Sequence, residues 1–136
     1  MTMDTVTVRV PPKADHLALL RTAVGWMAGR DDFTIDQVDD LKMAVEEAAV
    51  QLLRHGGSSD ITLDMLATRT GVEARLHARV DSADPVIDET SFSWLILKAL
   101  ADDLEVDADA DIATIVLRKT RMDLHNGDDV AVGDAG

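Results

Sequence analysis

The stretch Asp40–Gly56, "DLKMAVEEAAVQLLRHG", decides how the rest of the chain is read. Leu41, Ala44, Val45, Ala48, Ala49, Leu52 and Leu53 recur at i, i+3, i+4, i+7, i+8, i+11 and i+12, which is one continuous apolar stripe on a helix. Thr34 stands where a cap belongs, Asp36 falls in the first turn and Gly56-Gly57 stop the run, so the spacing predicts a long helix over 35–55. Two glutamates interrupt its middle. At about 100° per residue Glu46 falls outside the stripe, with Lys42 one turn earlier as its partner. Glu47 lies on the opposite border, in line with Asp40 and Gln51 and with Arg54 within reach. It reads either as an edge glutamate held by Arg54 or as a carboxylate set at the core border for chemistry. Met43 and Val50, on the nominally exposed side, predict a second packing layer or a partner surface.

Working outward, "DTVTVRV" (4–10) alternates Val6, Val8 and Val10 with polar residues and ends at Pro11-Pro12, the pattern of a first strand. Asp15 is placed to cap a helix over 16–29, with Leu17, Leu20, Val24 and Met27 on its inner face. Residues 60–67 and 72–80 alternate around a turn at Gly71 and predict an antiparallel hairpin with one buried face. A loop containing Pro85 leads to a third helix, "TSFSWLILKALADDLEV", followed by an acidic stretch and a last strand, "IATIVLRKT". From Met122 onward the chain is rich in Gly and Asp and has no period, so residues 122–136 read as a flexible acidic tail behind a domain spanning 1–121. The expected order, β-α-α-β-β-α-β, predicts an α/β sandwich of two layers: a mixed, mostly antiparallel sheet with the helices on one face.

Composition narrows the function classes. The length of 136 residues suits one domain, and a 46% hydrophobic content with 3% aromatics requires an aliphatic core. No cysteine is present, which excludes disulfides and thiolate metal sites and fits a reducing cytoplasm. No apolar run has the length of a membrane span. With 26 acidic and 13 basic side chains the formal charge is −13, which repels nucleic-acid backbones and anionic lipid and favours a basic protein partner. His16, His55, His77 and His125 show no zinc-ligand spacing. "DADAD" (107–111) lacks the central Gly and terminal Glu of a calcium loop and reads as a solvated acidic turn. "RKTR" (118–121) is too short, and too close to acidic sequence, for a nucleic-acid patch.

"DLKMAVEEAAVQLLRHG" resembles the second helix of the RsbW-type serine-kinase anti-sigma factors, members of the GHKL or histidine-kinase-like ATPase superfamily. There the helix reads roughly D-L-K-x-A-V-x-E-A-x-x-N-x-x-x-H-x. "SFSWLILKALADDLEV" resembles the equivalent block of the actinobacterial branch, which controls a stress- or sporulation-type sigma factor. The resemblance covers about residues 5–120 and agrees with the element order. It implies a Bergerat-type ATPase fold in a cytoplasmic homodimer, with ATP and Mg²⁺ as the family's cofactors. Its partners would be a sigma factor, held inactive, and an STAS-type antagonist that is phosphorylated on serine.

By position, the resemblance makes Glu47 the general base and puts Gln51 where the family has a Mg²⁺-ligating asparagine. Asp81 is the nearest match to the aspartate that binds the adenine amino group. Arg21, in "LLRTAV", matches the helix-one arginine on the surface that meets the sigma factor and its competitor. The chain departs from the family in its glycines. Ala83 stands where a glycine follows that aspartate, and no glycine occurs between Gly71 and Gly127. Close backbone approach to phosphate needs residues without Cβ, and the loop "DSADPVIDE" adds Asp84, Asp88 and Glu89, which repel a triphosphate. The resemblance therefore implies an anti-sigma factor on a degenerate nucleotide site, released by its antagonist. The alternative is an active ATP-dependent serine kinase, and a third reading is a dimerising or small-ligand module.

Overall fold

Alternation of small aliphatic and polar residues builds the sheet. The computed structural model describes residues 5–30, 32–56, 58–81, 88–109 and 111–121. Its strands are β1 (Thr5–Val10), β2 (Ile61–Ala67), β3 (Gly71–Arg79), β4 (Asp103–Asp109) and β5 (Ile112–Thr120). They form one sheet in the order β1-β2-β3-β5-β4, and every pairing is antiparallel. The row Val8, Leu63, Leu76, Ile115 and Val106 runs across all five strands in register. Together with Ile61, Met65, Ala74 and Leu117 it makes the apolar face.

That face is covered by α1 (Leu17–Gly29), α2 (Ile35–Gly56) and α3 (Phe92–Leu100). Leu20 and Val24 from α1, Leu41, Val45, Ala48 and Leu52 from α2, and Leu97 from α3 are fully buried in the shared core. Completely burying such a side chain contributes roughly 1.5–3 kcal/mol. The expected stripe of α2 is therefore the centre of the domain. The opposite sheet face is polar and internally paired: Thr7 donates to Asp64 (2.6 Å), His77 contacts the same carboxylate (3.2 Å), and Arg118 binds Glu73 (3.0 Å), Asp103 (2.6 Å) and Glu105.

Three expectations are corrected. The described residues form five strands, since "DLEVDAD" is a strand and not the tail of the third helix, which ends at Leu100. Leu104 and Val106 point inward while Asp103, Glu105 and Asp107 alternate outward on this edge strand. Arg118 neutralises two of those carboxylates, which offsets their poor strand propensity. Most of "DADAD" thus belongs to a hairpin: Asp107 and Asp109 lie in β4, and Asp111 adjoins β5. Finally, Asp15 makes no side-chain cap. A single 3-10 turn (Ala14–His16) precedes α1, and His16 occupies its N-cap position. The tail at 122–136 and the centre of the loop before α3, with Ala83, Asp84 and Pro85, lie outside the described residues.

Candidate functional site

A reciprocal cap starts the helix that carries the site. Thr34 Oγ1 accepts from the Gln37 N–H and Gln37 Oε1 accepts from the Thr34 N–H, each at 3.1 Å, which satisfies two donors at the N-terminus of α2. Gln37 also donates to the carbonyl of Thr120 (2.9 Å), tying that end of the helix to β5. With α2 so fixed, its two central glutamates face different neighbours.

Glu46 faces α1. Its Oε1 accepts from Arg21 Nη1 at 2.9 Å, so its partner is Arg21 and not Lys42. The stem of Lys42 instead lies against Gly25 of α1, where a Cβ would come within 3.0 Å of it. A single-helix reading could not see this, because Arg21 is 25 positions away and arrives only when α1 packs on α2.

Glu47 faces α3. Its Oε2 accepts from Gln51 Nε2 (3.0 Å) and from Ser93 Oγ (2.7 Å), while Gln51 Nε2 also donates to Ser93 Oγ (2.8 Å). The three side chains close a triangle on the border of the core, with Gln51 only 7% exposed. The expected i, i+4 neighbour of Glu47 is thus present, and the partner offered by the edge-glutamate reading, Arg54, is replaced by Ser93. The "SFSW" block stands out in the sequence, but nothing local to it gives Ser93 a role. Its hydroxyl reaches Glu47 through helix packing across 46 positions, which no local pattern reports.

The loop end supports this arrangement. Asp88 Oδ1 accepts from the backbone N–H and Oγ1 of Thr90, both at 2.8 Å, and holds its own pKa below the ordinary carboxylate value through those bonds. Ser91 then caps α3 by accepting from the Trp94 N–H (3.1 Å), which orients Ser93 toward α2. At the far end of α3, buried Lys119 donates from Nζ to the carbonyl of Leu100 (2.8 Å) and contacts Asp40 of α2 (3.4 Å).

Asp81 lies just past β3 with an exposed side chain, and its N–H donates to the carbonyl of His55 at the C-terminal end of α2 (2.9 Å). His55 Nδ1 contacts the carbonyl of Gln51 at 2.9 Å. The fold therefore brings Glu47 and Gln51 into contact and places Asp81 beyond the next turn of α2, while Arg21 stands apart on the α1 side. Met43 is exposed as expected, whereas Val50 is partly covered by the core.

The triangle as it stands presents a hydrogen-bond donor where a bound cation would need an oxygen. A hard cation needs oxygen ligands, but Gln51 turns its N–H toward Glu47 and Ser93, and Glu47 Oε2 already accepts two hydrogen bonds. Among the described residues no group of three or more acidic or histidine side chains converges as a metal cluster. Nor is any described helix long and apolar enough to cross a membrane.

A profile described as a histidine kinase-like ATPase domain matches residues 10–119. An anti-sigma-F factor RsbW of Mycobacterium tuberculosis is 37% identical over 102 residues, covering 74% of this chain and 60% of that relative. The chain therefore spans less than two thirds of that protein's length. A serine-protein kinase RsbW of Bacillus cereus is 22% identical over 135 residues, covering 85% of this chain and 84% of the relative. The crystal structure of the RsbU and RsbW domains of Rv1364c from Mycobacterium tuberculosis shares the fold, with a TM-score of 0.67 at 13% identity over 87% of this chain and 32% of that one.

Proposed function

The chain belongs to the histidine kinase-like ATPase domain family, and from that premise we propose that it is an anti-sigma factor. In this reading it sequesters an alternative sigma factor of the stress or sporulation type and is released by an STAS-type antagonist. The observation that carries the proposal is the divided use of α2. On one side Glu47 and Gln51 are tied to each other and to Ser93, which supports a degenerate nucleotide site. On the other, Arg21 stays half-exposed on α1 with its charge on Glu46, and exposed Met43 lies one turn from that glutamate, a mixed charged and apolar surface suited to a protein partner. The name of the 37% identical relative points the same way. The net charge of −13 favours association with a protein whose own surface is basic.

We assign Arg21 to partner contact, Glu47 to a vestigial base position, and Gln51 and Asp81 to vestigial cofactor positions. The working unit is a homodimer of the 1–121 domain in the cytoplasm. The test is co-purification with each sigma factor of the source cell and with Arg21→Glu in parallel. Retention of one sigma factor by the unaltered chain and its loss in the variant are expected. Retention of none would overturn the reading.

One observation favours the alternative, a serine kinase acting on the antagonist. The Ser93 hydroxyl donates to Glu47 at 2.7 Å, the approach that a substrate serine would make to a general base at this position. Calorimetry with ATP·Mg²⁺ separates the two, since micromolar binding by the unaltered chain supports the kinase and contradicts the degenerate site.

A further inference from the structure

We propose that Ser93 is an internal occupant of the Glu47–Gln51 site, an autoinhibitory contact through which the first turn of α3 stands in for a bound cation. The inference rests on the reading of Glu47 and Gln51 as the cofactor positions of this fold.

Glu47 sits on the core border, where a carboxylate needs hydrogen-bond donors or a cation to offset lost hydration. Two neutral donors meet that need here, Ser93 Oγ and Gln51 Nε2. The serine hydroxyl is used both ways, accepting from Gln51 while it donates to Glu47. A divalent cation requires the opposite polarity at the same point. It would need the Gln51 carbonyl turned inward and the Ser93 hydrogen removed from Glu47. The closed triangle and an occupied cation site therefore exclude each other.

The serine is also held in place from outside the triangle. The Ser91 cap sets the start of the helix, Leu97 is fully buried beneath it, and Lys119 grips the Leu100 carbonyl at its end. On the outer side of the same turn Phe92 is 77% exposed and contributes little to holding the turn closed, while Trp94 packs partly against the core. The contact between Ser93 and Glu47 is left as the polar latch of this turn.

Amide hydrogen exchange over 92–97 tests the latch, and calorimetry with ATP·Mg²⁺ tests what it excludes. A charge-assisted hydrogen bond predicts exchange about tenfold faster in Ser93→Ala, with Ser93→Thr close to the unaltered chain because it keeps the hydroxyl. Glu47→Ala should loosen the same turn, and the double variant should add nothing beyond either single one. Ser93→Ala should also bind ATP·Mg²⁺ about tenfold more tightly than the unaltered chain, the worth of one such bond. Equal exchange in Ser93→Ala and the unaltered chain, or no rescue by Ser93→Thr, overturns the latch. Faster exchange with no gain in binding overturns the autoinhibitory role alone. Micromolar binding by the unaltered chain, with Ser93 in place, overturns both this proposal and the degenerate-site reading. Should Ser93→Ala not fold, Glu47→Gln weakens the same bond from the other side and must give the same faster exchange.

Discussion

Glu46 and Glu47 are consecutive in the chain yet bind different helices, Glu46 accepting from Arg21 on α1 and Glu47 from Ser93 on α3. One step along a helix turns the side chain by about 100°, enough to send adjacent carboxylates to opposite neighbours. The pair thereby links three helices while occupying little of the core stripe. It also separates two surfaces that can be perturbed independently.

The Arg21–Glu46 pair is exposed by 42% and 40%. A pair that open contributes no more than about 1 kcal/mol. Arg21→Glu should therefore lower unfolding stability only slightly, through repulsion by Glu46, while abolishing retention of a sigma factor. Exchanging the charges, with Arg21→Glu and Glu46→Arg together, should restore stability in urea unfolding without restoring retention. Recovery of both would mean that Arg21 acts by stabilising the helix pair and not by touching the partner.

Gly71 begins β3 where it crosses β5. A Cβ there would lie 1.9 Å from the carbonyl oxygen of Lys119, a backbone atom that cannot yield like a side chain. Gly71→Ala must part the two central strands and should cost at least about 3 kcal/mol, in the range of severe overpacking. Thermal unfolding followed by circular dichroism would show a large drop in Tm or an unfolded chain. A near-unchanged Tm would mean that the hairpin can shift its register to absorb the methyl group.

Much of the fold was legible because period and burial coincide. The α2 stripe, the Thr34 cap and the β2–β3 hairpin are local patterns, and each lies within a residue or so of its expected place. β4 was hidden by its charges, since the alternation Leu104, Val106 is easily lost among Asp103, Glu105 and Asp107 until Arg118 is brought opposite them. The site was legible in part. Glu47 and Gln51 are one helical turn apart and had to meet, but Ser93 reaches them, and Arg21 reaches Glu46, through tertiary packing alone. The "RKTR" run shows the same limit: Arg118 and Lys119 project to opposite faces of the sheet, and each is used internally.

The turn before α3 carries a pH dependence of definite sign. The bonds from Thr90 to Asp88 favour the ionised carboxylate and lower its pKa from 3.8. A group depressed in the folded state stabilises that state above its unfolded pKa and loses the contribution as pH falls through the folded one. A carboxyl titration followed by NMR should place Asp88 below 3.8. Asp88→Ala, which removes the acceptor, should abolish protection of the Thr90 amide at neutral pH and make less difference in acid, where the carboxylate's contribution is already lost. An Asp88 midpoint at or above the ordinary value would show that the Thr90 bonds do not form in solution.

Lys119 is the buried cation of β5, and its two partners differ in what they need from it. The carbonyl of Leu100 is an end group of α3 that receives its bond at 2.8 Å, whereas Asp40 is 37% exposed and lies at 3.4 Å. Water can serve Asp40, whereas the Leu100 carbonyl takes its bond from a lysine that is itself buried. Lys119→Met keeps most of the apolar stem and removes the donor, so it should cost about 1–3 kcal/mol, the worth of a buried acceptor left unsatisfied. Asp40→Asn should cost under about 1 kcal/mol, as expected of a long and partly solvated pair. The two can be ranked by urea unfolding, and exchange at the C-terminal amides of α3 should quicken in Lys119→Met alone. If Asp40→Asn proved the more damaging change, the ion pair and not the carbonyl bond would be what anchors this end of α3.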